Sequence, residues 1–490
     1  MLSFFIIFIF FRRHIKAPIM TNAYSKINEQ DITRLTEIVG ADFVIQDEAS
    51  LRDYAHDETE DIMCLPEVIV KPNSTKEVSK IMAYAHNRRL PVTARGAGSG
   101  LAGGAIPALG GIVLSLERMN RIVNIDMDNL QVQTEPGVIT EVLQNAVKEK
   151  GLFYPPDPAS SGWCFIGGNV ATNSGGPRAL KYGVVKDYVL NLEVVLASGE
   201  VIETGAQTLK NSTGYNLTQL MVGSEGTLGV VTQITLKLIP LPKYNLLMLV
   251  PFSSAKMACA AVSAIFQAGI TPSALEFMER SAIDWAIKYI GHVNFKIEDS
   301  VGAHLLIEVD GNYLETLYQD CEVITEVVEK FGADNVLFAD NDDQKRELWK
   351  LRKNVGHAVK LNSIYKEEDT VVPRAQLPEL LDGVKSIGEK YNFTSVCYGH
   401  AGDGNLHVNI LKGDMSDEDW NNKLHEGIAE LFHYVKQLGG TISGEHGIGL
   451  VQKRYMNIVF SPIELKLMAA IKNSFDPHHI LNPQKIFPEV

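Results

Sequence analysis

The chain has 490 residues, of which 45% are hydrophobic and 21% are charged, and its formal net charge at pH 7 is −14. This length accommodates two or three domains, and the composition is ordinary for a globular protein. The acidic balance argues against nucleic acid as a partner, because binding to a polyanion requires an excess of lysine and arginine. The five cysteines are scattered and form no CxxC pair, which predicts a reduced, cytoplasmic location and no iron–sulfur cluster on the chain itself.

The first residues are unlike the rest of the chain. Residues 2–11, LSFFIIFIFF, are apolar but fall short of the roughly 20 residues that a membrane-spanning helix needs. Basic residues follow this run instead of preceding it, and no small-residue cleavage site comes after it, so it does not resemble a signal peptide. We expect the physiological start at Met20; the alternative is that residues 1–19 attach the protein to the periphery of a membrane.

Strand and helix patterns alternate from residue 67 onwards. Residues 67–72, EVIVKP, and 90–94, LPVTA, are typical of strands. Between them, residues 74–89 begin with Ser and Thr, which often cap helices. The apolar residues of this segment recur at helical spacing, at Val78, Ile81, Met82 and Ala85.

A long glycine-rich loop follows, RGAGSGLAGGAIPALGG at residues 95–111. It contains G-x-G-x-x-G at 98–103, and Glu117 stands where a dinucleotide-binding Rossmann fold carries its acidic residue. That fold requires the motif to open a helix, whereas further glycines and Pro107 lead here into the strand pattern GIVLSL. We therefore reject the Rossmann interpretation and predict an irregular loop that can bind phosphate through its backbone N–H groups.

Two further loops of the same kind lie downstream. Residues 154–183 contain two Gly-Gly pairs with nearby asparagines, and residues 223–240 place three glycines before a strand. Each loop on its own is explained most simply as a turn. Three such loops separated by strands favour an elongated ligand with two phosphates that lies across all of them.

The loops resemble a known flavin-binding domain. PVTARGAGSGLAGG, PPDPASSGWCFIGGNVATNSGG and GSEGTLGVV resemble the three flavin-contacting segments of the PCMH-type FAD-binding domain. Residues 45–490 resemble the FAD-linked D-2-hydroxy-acid dehydrogenases, which include D-lactate dehydrogenases, the FAD subunit of glycolate oxidase and D-2-hydroxyglutarate dehydrogenase. The resemblance implies an α+β fold, with a FAD-binding domain of two α/β subdomains and an α+β cap that contains an antiparallel sheet. The implied boundaries are an N-terminal extension and helical lead-in at 1–44, the FAD domain at 45–240, the substrate or cap domain at 245–435, and a C-terminal segment at 436–490 that returns to the flavin.

The resemblance also implies how FAD is held. Its pyrophosphate is expected on the first glycine-rich loop. Some flavoproteins of this fold attach FAD covalently through a histidine in that loop, but residues 91–111 contain no histidine, so we expect non-covalent FAD. The implied contacts are Arg95, Gly96, Ala97, Gly98, Ser99, Gly100, Leu101, Pro156, Asp157, Gly167, Gly168, Asn169, Ala171, Thr172, Asn173, Glu225, Gly226, Gly229, Val230 and Asn482.

A second kind of motif lies in the cap. Residues 397–410, CYGHAGDGNLHVNI, are typical of two strands joined by a turn. With His400 opposite His407, Tyr398 lies opposite Asn409, and period-two alternation puts all four side chains on one face. Two histidines alone leave a metal site and a polar hairpin as equal alternatives.

The segment SGEHGIGL, residues 443–450, favours the metal site. It supplies Glu445 and His446 in a second glycine-flanked turn, and two histidines plus a carboxylate with an open position form a common catalytic zinc arrangement. The structural alternatives are a solvated turn for Glu445 and a hydrogen-bonded role for His446. The resemblance implies His400, His407 and Glu445 as ligands of a divalent metal, zinc favoured, with His446 as the catalytic base and Asn409 beside them.

The expected reaction explains why a flavoprotein would need a metal. Oxidation of a 2-hydroxy acid removes a hydride from Cα and a proton from the hydroxyl. A flavin accepts hydride, a divalent metal lowers the pKa of the hydroxyl, and a neutral histidine takes the proton. The substrate carboxylate needs a cation, and the resemblance implies Arg352, within residues 347–356, whose planar guanidinium matches a carboxylate. The alternative for Arg352 is a charge on a surface helix.

The substrate and the electron acceptor are less strongly specified. Residues 365–373 and Gly356 depart from the D-2-hydroxyglutarate members, which carry a lysine closer to the aspartate and a threonine in place of Gly356. This favours D-lactate or glycolate, with D-2-hydroxyglutarate as the alternative substrate and a non-redox, metal-binding regulatory protein as the alternative class. The chain has no second dinucleotide site, so we expect a separate acceptor: a quinone, a cytochrome, an electron-transferring flavoprotein or an iron–sulfur subunit.

Overall fold

A computed structural model gives the fold of residues 24–291, 293 and 297–488. The apolar run at 2–11 and the expected start at Met20 lie outside these residues. Within the described ranges, no helix is both long enough and apolar enough to cross a membrane.

The strands form three main sheets and one short two-stranded ribbon. In chain order they are β1 Val44–Ile45, β2 Val68–Val70, β3 Val92–Arg95, β4 Ile112–Ser115, β5 Ile122–Asp126, β6 Gln131–Thr134, β7 Leu152–Phe153, β8 Val189–Val195, β9 Val201–Glu203, β10 Val230–Lys237, β11 Ile239–Pro240, β12 Tyr244–Phe252, β13 Ala274–Glu279, β14 Ala303–Gly311, β15 Leu337–Phe338, β16 Tyr365–Val371, β17 Thr394–Gly399 and β18 Asn405–Leu411.

Helices pack against these sheets. In chain order they are α1 Glu29–Val39, α2 Glu48–Asp53, α3 Thr75–Arg88, α4 Thr140–Lys148, α5 Ile166–Thr172, α6 Ala179–Tyr182, α7 Leu217–Met221, α8 Ala255–Gln267, α9 Arg280–Ile290, α10 Leu314–Glu329, α11 Asp342–Lys353, α12 Val355–Asn362, α13 Leu377–Tyr391, α14 Leu424–Gln437, α15 Met456–Val459 and α16 Pro462–Phe475.

The first sheet has the strand order β1-β2-β4-β3, with β4 parallel to both of its neighbours. The predicted strand–helix–strand unit is confirmed as β2, α3 and β3. Ser74 caps α3 by accepting a hydrogen bond from the N–H of Glu77, as its position before the apolar pattern indicates. The buried face of α3 is formed by the predicted residues Val78, Ile81, Met82 and Ala85.

The segment after β3 shows why the first glycine-rich loop is not a Rossmann motif. Residues 96–111 form neither a helix nor a strand, which confirms the prediction of an irregular loop. Glu117 accepts hydrogen bonds from Tyr54 Oη at 2.5 Å and Lys71 Nζ at 2.7 Å. This carboxylate is therefore engaged in packing the first sheet and is not presented to a ribose.

The second sheet is antiparallel, with the order β5-β6-β10-β8-β9, and it carries the other two glycine-rich loops. The prediction of a loop over residues 154–183 is wrong in part, because this segment contains the short helices α5 and α6, and the Gly167-Gly168 pair lies inside α5. The third loop leads directly into β10. The chain leaves this sheet at Lys237, and β11 then pairs with β7 before β12 begins at Tyr244.

The third sheet is the antiparallel sheet predicted for the cap. Its order is β15-β12-β14-β13-β17-β18-β16, and every neighbouring pair is antiparallel. Helices α8, α10, α13 and α14 bury their apolar faces against this sheet in the largest hydrophobic core of the described residues. Strands β16, β17 and β18 are neighbours at one edge of this sheet, so the polar side chains on one face of these strands lie close together.

The end of the described chain returns to the first sheet. Val92 N–H in β3 donates to the carbonyl of Ile480 at 2.8 Å, and Asn482 N–H donates to the carbonyl of Val92 at 2.7 Å. The C-terminal segment therefore extends the first sheet beside the beginning of the first glycine-rich loop.

Candidate active site

A cavity of about 350 Å³ lies between the first two sheets and the cap. The three glycine-rich loops line one side, and residues from the cap edge and from the 443–450 segment line the other. On the loop side the predicted lining residues are Arg95, Gly96, Ala97, Gly98, Ser99, Gly100, Leu101, Gly167, Gly168, Asn169, Ala171, Thr172, Glu225, Gly226, Gly229 and Val230. On the other side they are Arg352, His400, His407, Glu445 and His446.

Some predicted site residues support the cavity from behind. Asn173 ends α5 in the left-handed region and accepts a hydrogen bond from the N–H of Lys186. Asn482 Nδ2 donates to the carbonyls of Gly104 at 2.9 Å and Glu225 at 2.7 Å, which ties the first loop to the third. The predicted residues that do not line the cavity are Pro156, Asp157, Asn173, Asn409 and Asn482.

The loop side suits a large anionic cofactor. Gly98 has φ +77°, a conformation that favours glycine, and this lets the loop turn close over the Arg95 guanidinium. A Cβ at Gly168 would meet no protein atom within 4 Å, so a side chain there would enter the open space. The residues present thus offer backbone N–H groups and room, which fits the phosphates and ring system of FAD.

The hairpin register differs from the predicted one by two residues. The expectation that His400 lies opposite His407 is wrong, because Tyr398 pairs with His407. Strand β17 ends at Gly399, and a 3₁₀ turn at Ala401–Asp403 joins it to β18. A shift of two preserves the face on which each side chain lies, so the two histidine rings still meet, with centroids 5.4 Å apart.

The two histidines converge on Glu445. Glu445 Oε1 lies 3.2 Å from His400 Nε2 and 3.7 Å from His407 Nε2. One candidate ligand atom from each of the three residues lies within 4.8 Å of the others. The residues present therefore fit a divalent metal, since imidazole nitrogens and a carboxylate are the usual zinc ligands.

A second group of possible ligands overlaps the first. Glu367, His407 and His446 also offer atoms within 4.8 Å of one another, and they share His407 with the first group. The His446 ring stacks on the His407 ring with centroids 5.3 Å apart. His446 consequently stands beside the candidate metal site, where it could serve as either a base or a ligand.

The buried groups of this cluster shift the pKa values of its two histidines in opposite directions. Burial alone would lower the pKa of His400, but the carboxylates of Glu276 and Glu445 outweigh burial and raise that pKa to about 10. Burial lowers the pKa of His407 to about 3. For Glu445, His400 and His407 outweigh burial and hold its pKa well below the usual value. The cluster thus keeps Glu445 ionised and His407 neutral, which are the forms in which these two side chains can bind a metal.

Glu276 supports His400 from behind and was not predicted. Its carboxylate oxygens lie 2.8 and 2.9 Å from His400 Nδ1, which directs Nε2 of the same ring towards Glu445. Glu276 Oε2 also lies 2.7 Å from Arg352 Nη2, and all three side chains are buried. Arg352 is therefore not a charge on a surface helix, which was the alternative. It lines the cavity and forms an ion pair with Glu276, the residue that supports the candidate ligand His400.

Asp369 holds the turn that carries Glu445 and His446. Its Oδ2 accepts hydrogen bonds from the N–H groups of Gly444, Glu445 and His446 at 2.8 to 2.9 Å, and from Ser443 Oγ at 3.0 Å. Neighbouring residues in an extended segment point in opposite directions, whereas this turn lets Glu445 and His446 both line the cavity. The predicted tight turn is confirmed.

Several residues of the site were missed by sequence reasoning, and some of them had a signal in the sequence. In β16, Glu367 and Asp369 alternate with period two and pair with Asn409 and His407 of β18, so they share the face of the histidines. Glu276 is an acid in the middle of the otherwise apolar part of β13, which indicates a buried partner. The remaining missed residues include Trp163 and residues 158–160, which line the cavity a few positions beyond Pro156.

The fold and the cavity together define a flavoprotein of the PCMH type. The fold is similar to that of p-cresol methylhydroxylase, with a TM-score of 0.77 and 17% identity over 94% of this chain and 96% of that one. Residues 66–205 match the family described as FAD binding domain, and residues 241–486 match FAD linked oxidases, C-terminal domain.

Relatives of similar length narrow this class. The chain is 38% identical to D-lactate dehydrogenase of Anaerostipes hadrus over 94% of this chain and 98% of that one. It is 39% identical to glycolate oxidase subunit GlcD of Bacillus subtilis, with coverage of 89% and 92%. It is 34% identical to D-2-hydroxyglutarate dehydrogenase of Stutzerimonas stutzeri, with coverage of 93% and 98%. The chain therefore belongs to the FAD-linked oxidase family, as an oxidoreductase of the type that these three relatives represent.

Proposed function

We propose that the protein oxidises a small D-2-hydroxy acid, D-lactate or glycolate, to the 2-oxo acid. The observation that carries this proposal is the single cavity that joins the glycine-rich loops to His400, His407 and Glu445. A substrate in that cavity can touch the flavin side and the candidate metal ligands together. Two relatives, named D-lactate dehydrogenase and glycolate oxidase subunit GlcD, support D-lactate and glycolate as the substrates.

The division of labour follows from what each group can supply. The glycine-rich loops would hold FAD non-covalently, and FAD would supply a hydride acceptor. His400, His407 and Glu445 would hold a divalent metal, with zinc favoured, which would lower the pKa of the substrate hydroxyl. His446 is placed beside that site and accepts the hydroxyl proton on a ring nitrogen. Arg352 binds the substrate carboxylate, and Asn409 lies fully buried on β18, two residues from His407.

The cavity wall favours a small substrate over D-2-hydroxyglutarate. Gly356 lines the cavity but has no side chain to bind a second carboxylate. D-2-hydroxyglutarate stays the alternative substrate, because one relative is named D-2-hydroxyglutarate dehydrogenase.

Electrons must leave the reduced flavin for a separate acceptor. The relative named as a glycolate oxidase subunit supports a partner subunit, for example one with an iron–sulfur cluster. A quinone, a cytochrome or an electron-transferring flavoprotein are the alternatives. A membrane quinone would require peripheral attachment of an otherwise cytoplasmic protein.

Removal of the metal tests the proposed function. Chelation should abolish flavin reduction by D-lactate and glycolate, and Zn²⁺ or Mn²⁺ should restore it, because imidazole and carboxylate ligands discriminate poorly between these ions. The measurement is anaerobic bleaching of the flavin absorbance in a single turnover, which does not depend on the acceptor. D-2-hydroxyglutarate serves as the comparison substrate. Wild-type bleaching by metal-free protein would refute the metal's role, and a colourless, zinc-containing protein would favour the non-redox alternative.

Asp369→Asn tests whether the 443–450 turn must be held for metal binding. The substitution weakens charge-assisted hydrogen bonds to three backbone N–H groups, so the affinity for Zn²⁺ should fall by about 10- to 100-fold, as for other supports of metal ligands. Competition with a chromophoric chelator measures this affinity. The matched control is Asp310→Asn, another buried carboxylate of the cap, which binds Lys181 and Tyr182 away from the turn. Equal Zn²⁺ affinities in the two variants would contradict the assignment.

A further inference from the structure

Glu225 connects the flavin side of the cavity to the turn that carries Glu445. The residue lies in the third glycine-rich loop with φ +52°, and its N–H donates to the carbonyl of Ala171 in the second loop at 2.8 Å. Its carboxylate extends in the opposite direction. Oε1 accepts from the N–H of Ile448 and Oε2 accepts from the N–H of Gly449, each at 2.8 Å. Resemblance alone had assigned Glu225 to FAD, yet both of its carboxylate oxygens bind the chain itself.

The contact between the loops and this turn is close. A Cβ at Gly447 would lie 3.1 Å from the Glu225 carboxyl group. A Cβ at Gly449 would lie 2.0 Å from the carbonyl oxygen of Ala102, which belongs to the first glycine-rich loop. That carbonyl also accepts from the N–H of Leu450 at 2.8 Å. The turn therefore packs directly against the first and third glycine-rich loops, with no room for an added Cβ at Gly449.

Two buried carboxylates hold the turn from opposite sides. Asp369, in the cap, binds the N–H groups of residues 444–446, and Glu225, in the flavin loop, binds those of residues 448 and 449. Glu225 is 8% exposed, and a buried carboxylate is costly unless hydrogen bonds satisfy it. The position of Glu225 and the conformation of the turn consequently depend on each other.

We propose that Glu225 is a positioning residue that couples FAD binding to the divalent-metal site. The inference rests on the proposed role of Glu445 as a metal ligand. FAD bound against residues 225–230 would fix Glu225, which fixes residues 448 and 449 and thereby the placement of Glu445. Coupling between two binding equilibria is reciprocal, so the metal must strengthen FAD binding by the same factor. Glu225 and Ile448 are 223 residues apart in the sequence, so this contact is formed by the tertiary fold.

The test measures how Zn²⁺ changes the affinity for FAD. Holoenzyme is diluted with saturating Zn²⁺ or with a chelator, and the fluorescence of released FAD gives its dissociation constant in each condition. In the wild type the chelator should raise that constant by about tenfold, within the usual range of coupling between sites. In Glu225→Gln the ratio of the FAD dissociation constant with chelator to that with Zn²⁺ should fall towards one. A single amide oxygen cannot accept from the N–H groups of both Ile448 and Gly449 in the same arrangement. The matched control is Glu193→Gln, which alters a carboxylate on the second sheet that accepts hydrogen bonds from Thr75 of α3 and Thr232 of β10.

The outcomes separate this inference from the proposed function. Zinc content after dialysis is measured in parallel. A wild-type protein that binds no zinc would overturn both the metal's role in the proposed function and the coupling. A wild-type protein that binds zinc, but has the same FAD dissociation constant with Zn²⁺ and with chelator, would overturn only the coupling. A Glu225→Gln protein with the wild-type ratio would also overturn it. If Glu225→Gln does not fold, Glu225→Asp decides, because it keeps the charge but is too short to reach both N–H groups, and a wild-type ratio there would overturn the proposal.

Discussion

His446→Ala should retain both zinc and FAD yet reduce its flavin about 10²- to 10⁴-fold more slowly than the wild type, which is the usual loss when a general base is removed. Glu445→Ala should lose zinc and activity together. The two residues are neighbours in one turn, so a general disturbance of the turn would affect both variants alike. Single-turnover flavin reduction under anaerobic conditions, with zinc content measured on the same samples, distinguishes the two roles.

The control for this pair is His425→Ala, which removes a half-buried cap histidine that bonds to Tyr455 Oη and does not line the cavity. It should reduce flavin at the wild-type rate. His446 also belongs to a possible ligand group with Glu367 and His407. If His446→Ala loses zinc while Glu445→Ala retains it, the ligand and the base are exchanged. Wild-type rates in both variants would make the turn purely structural.

The parts of the site that the sequence predicted are those encoded within short segments. The first glycine-rich loop had a composition that excluded a helix, and the histidines of β17 and β18 followed from strand alternation around a turn. Their register was wrong by two residues because the Ala401–Asp403 turn takes up residues that a tight hairpin would have paired. Alternation survives such a shift, so the predicted side chains still meet.

The parts that sequence did not predict depend on contacts between distant segments. Glu276 lies 124 residues before His400, and Asp369 lies 77 residues before His446. Period-two alternation places Asp369 on the face of the histidines but does not identify its partner, because each pairing is fixed by the packing of the cap sheet and not by local propensity. The same reason explains the contacts of Asn482, whose side chain ties the Gly104 and Glu225 carbonyls together, while its predicted contact with the flavin stays a prediction.

Arg352→Lys should raise the KM for D-lactate and lower kcat/KM by about 10²-fold, because lysine keeps the charge but loses the bidentate fork, and each charge-assisted hydrogen bond contributes about 1.5–3 kcal/mol. Arg352 also pairs with Glu276, which orients His400. The substitution could therefore act on the carboxylate directly or on the metal through Glu276. Steady-state kinetics with zinc content measured in the same preparation separates these routes.

Glu276→Gln provides the matched comparison, since it keeps the Arg352 guanidinium and removes the negative charge that both Arg352 and His400 contact. If Arg352 binds the substrate carboxylate, Arg352→Lys should keep its zinc and raise KM, whereas Glu276→Gln should lose zinc affinity, by about 10- to 100-fold, with a smaller change in KM. If Arg352 acts only through Glu276, both variants should lose zinc affinity in parallel, and saturating Zn²⁺ should restore kcat/KM in each. Wild-type kinetics for Arg352→Lys at limiting Zn²⁺ would exclude both roles and leave the carboxylate to another cation of the cavity wall, of which Lys353 and Lys360 are the neighbouring candidates.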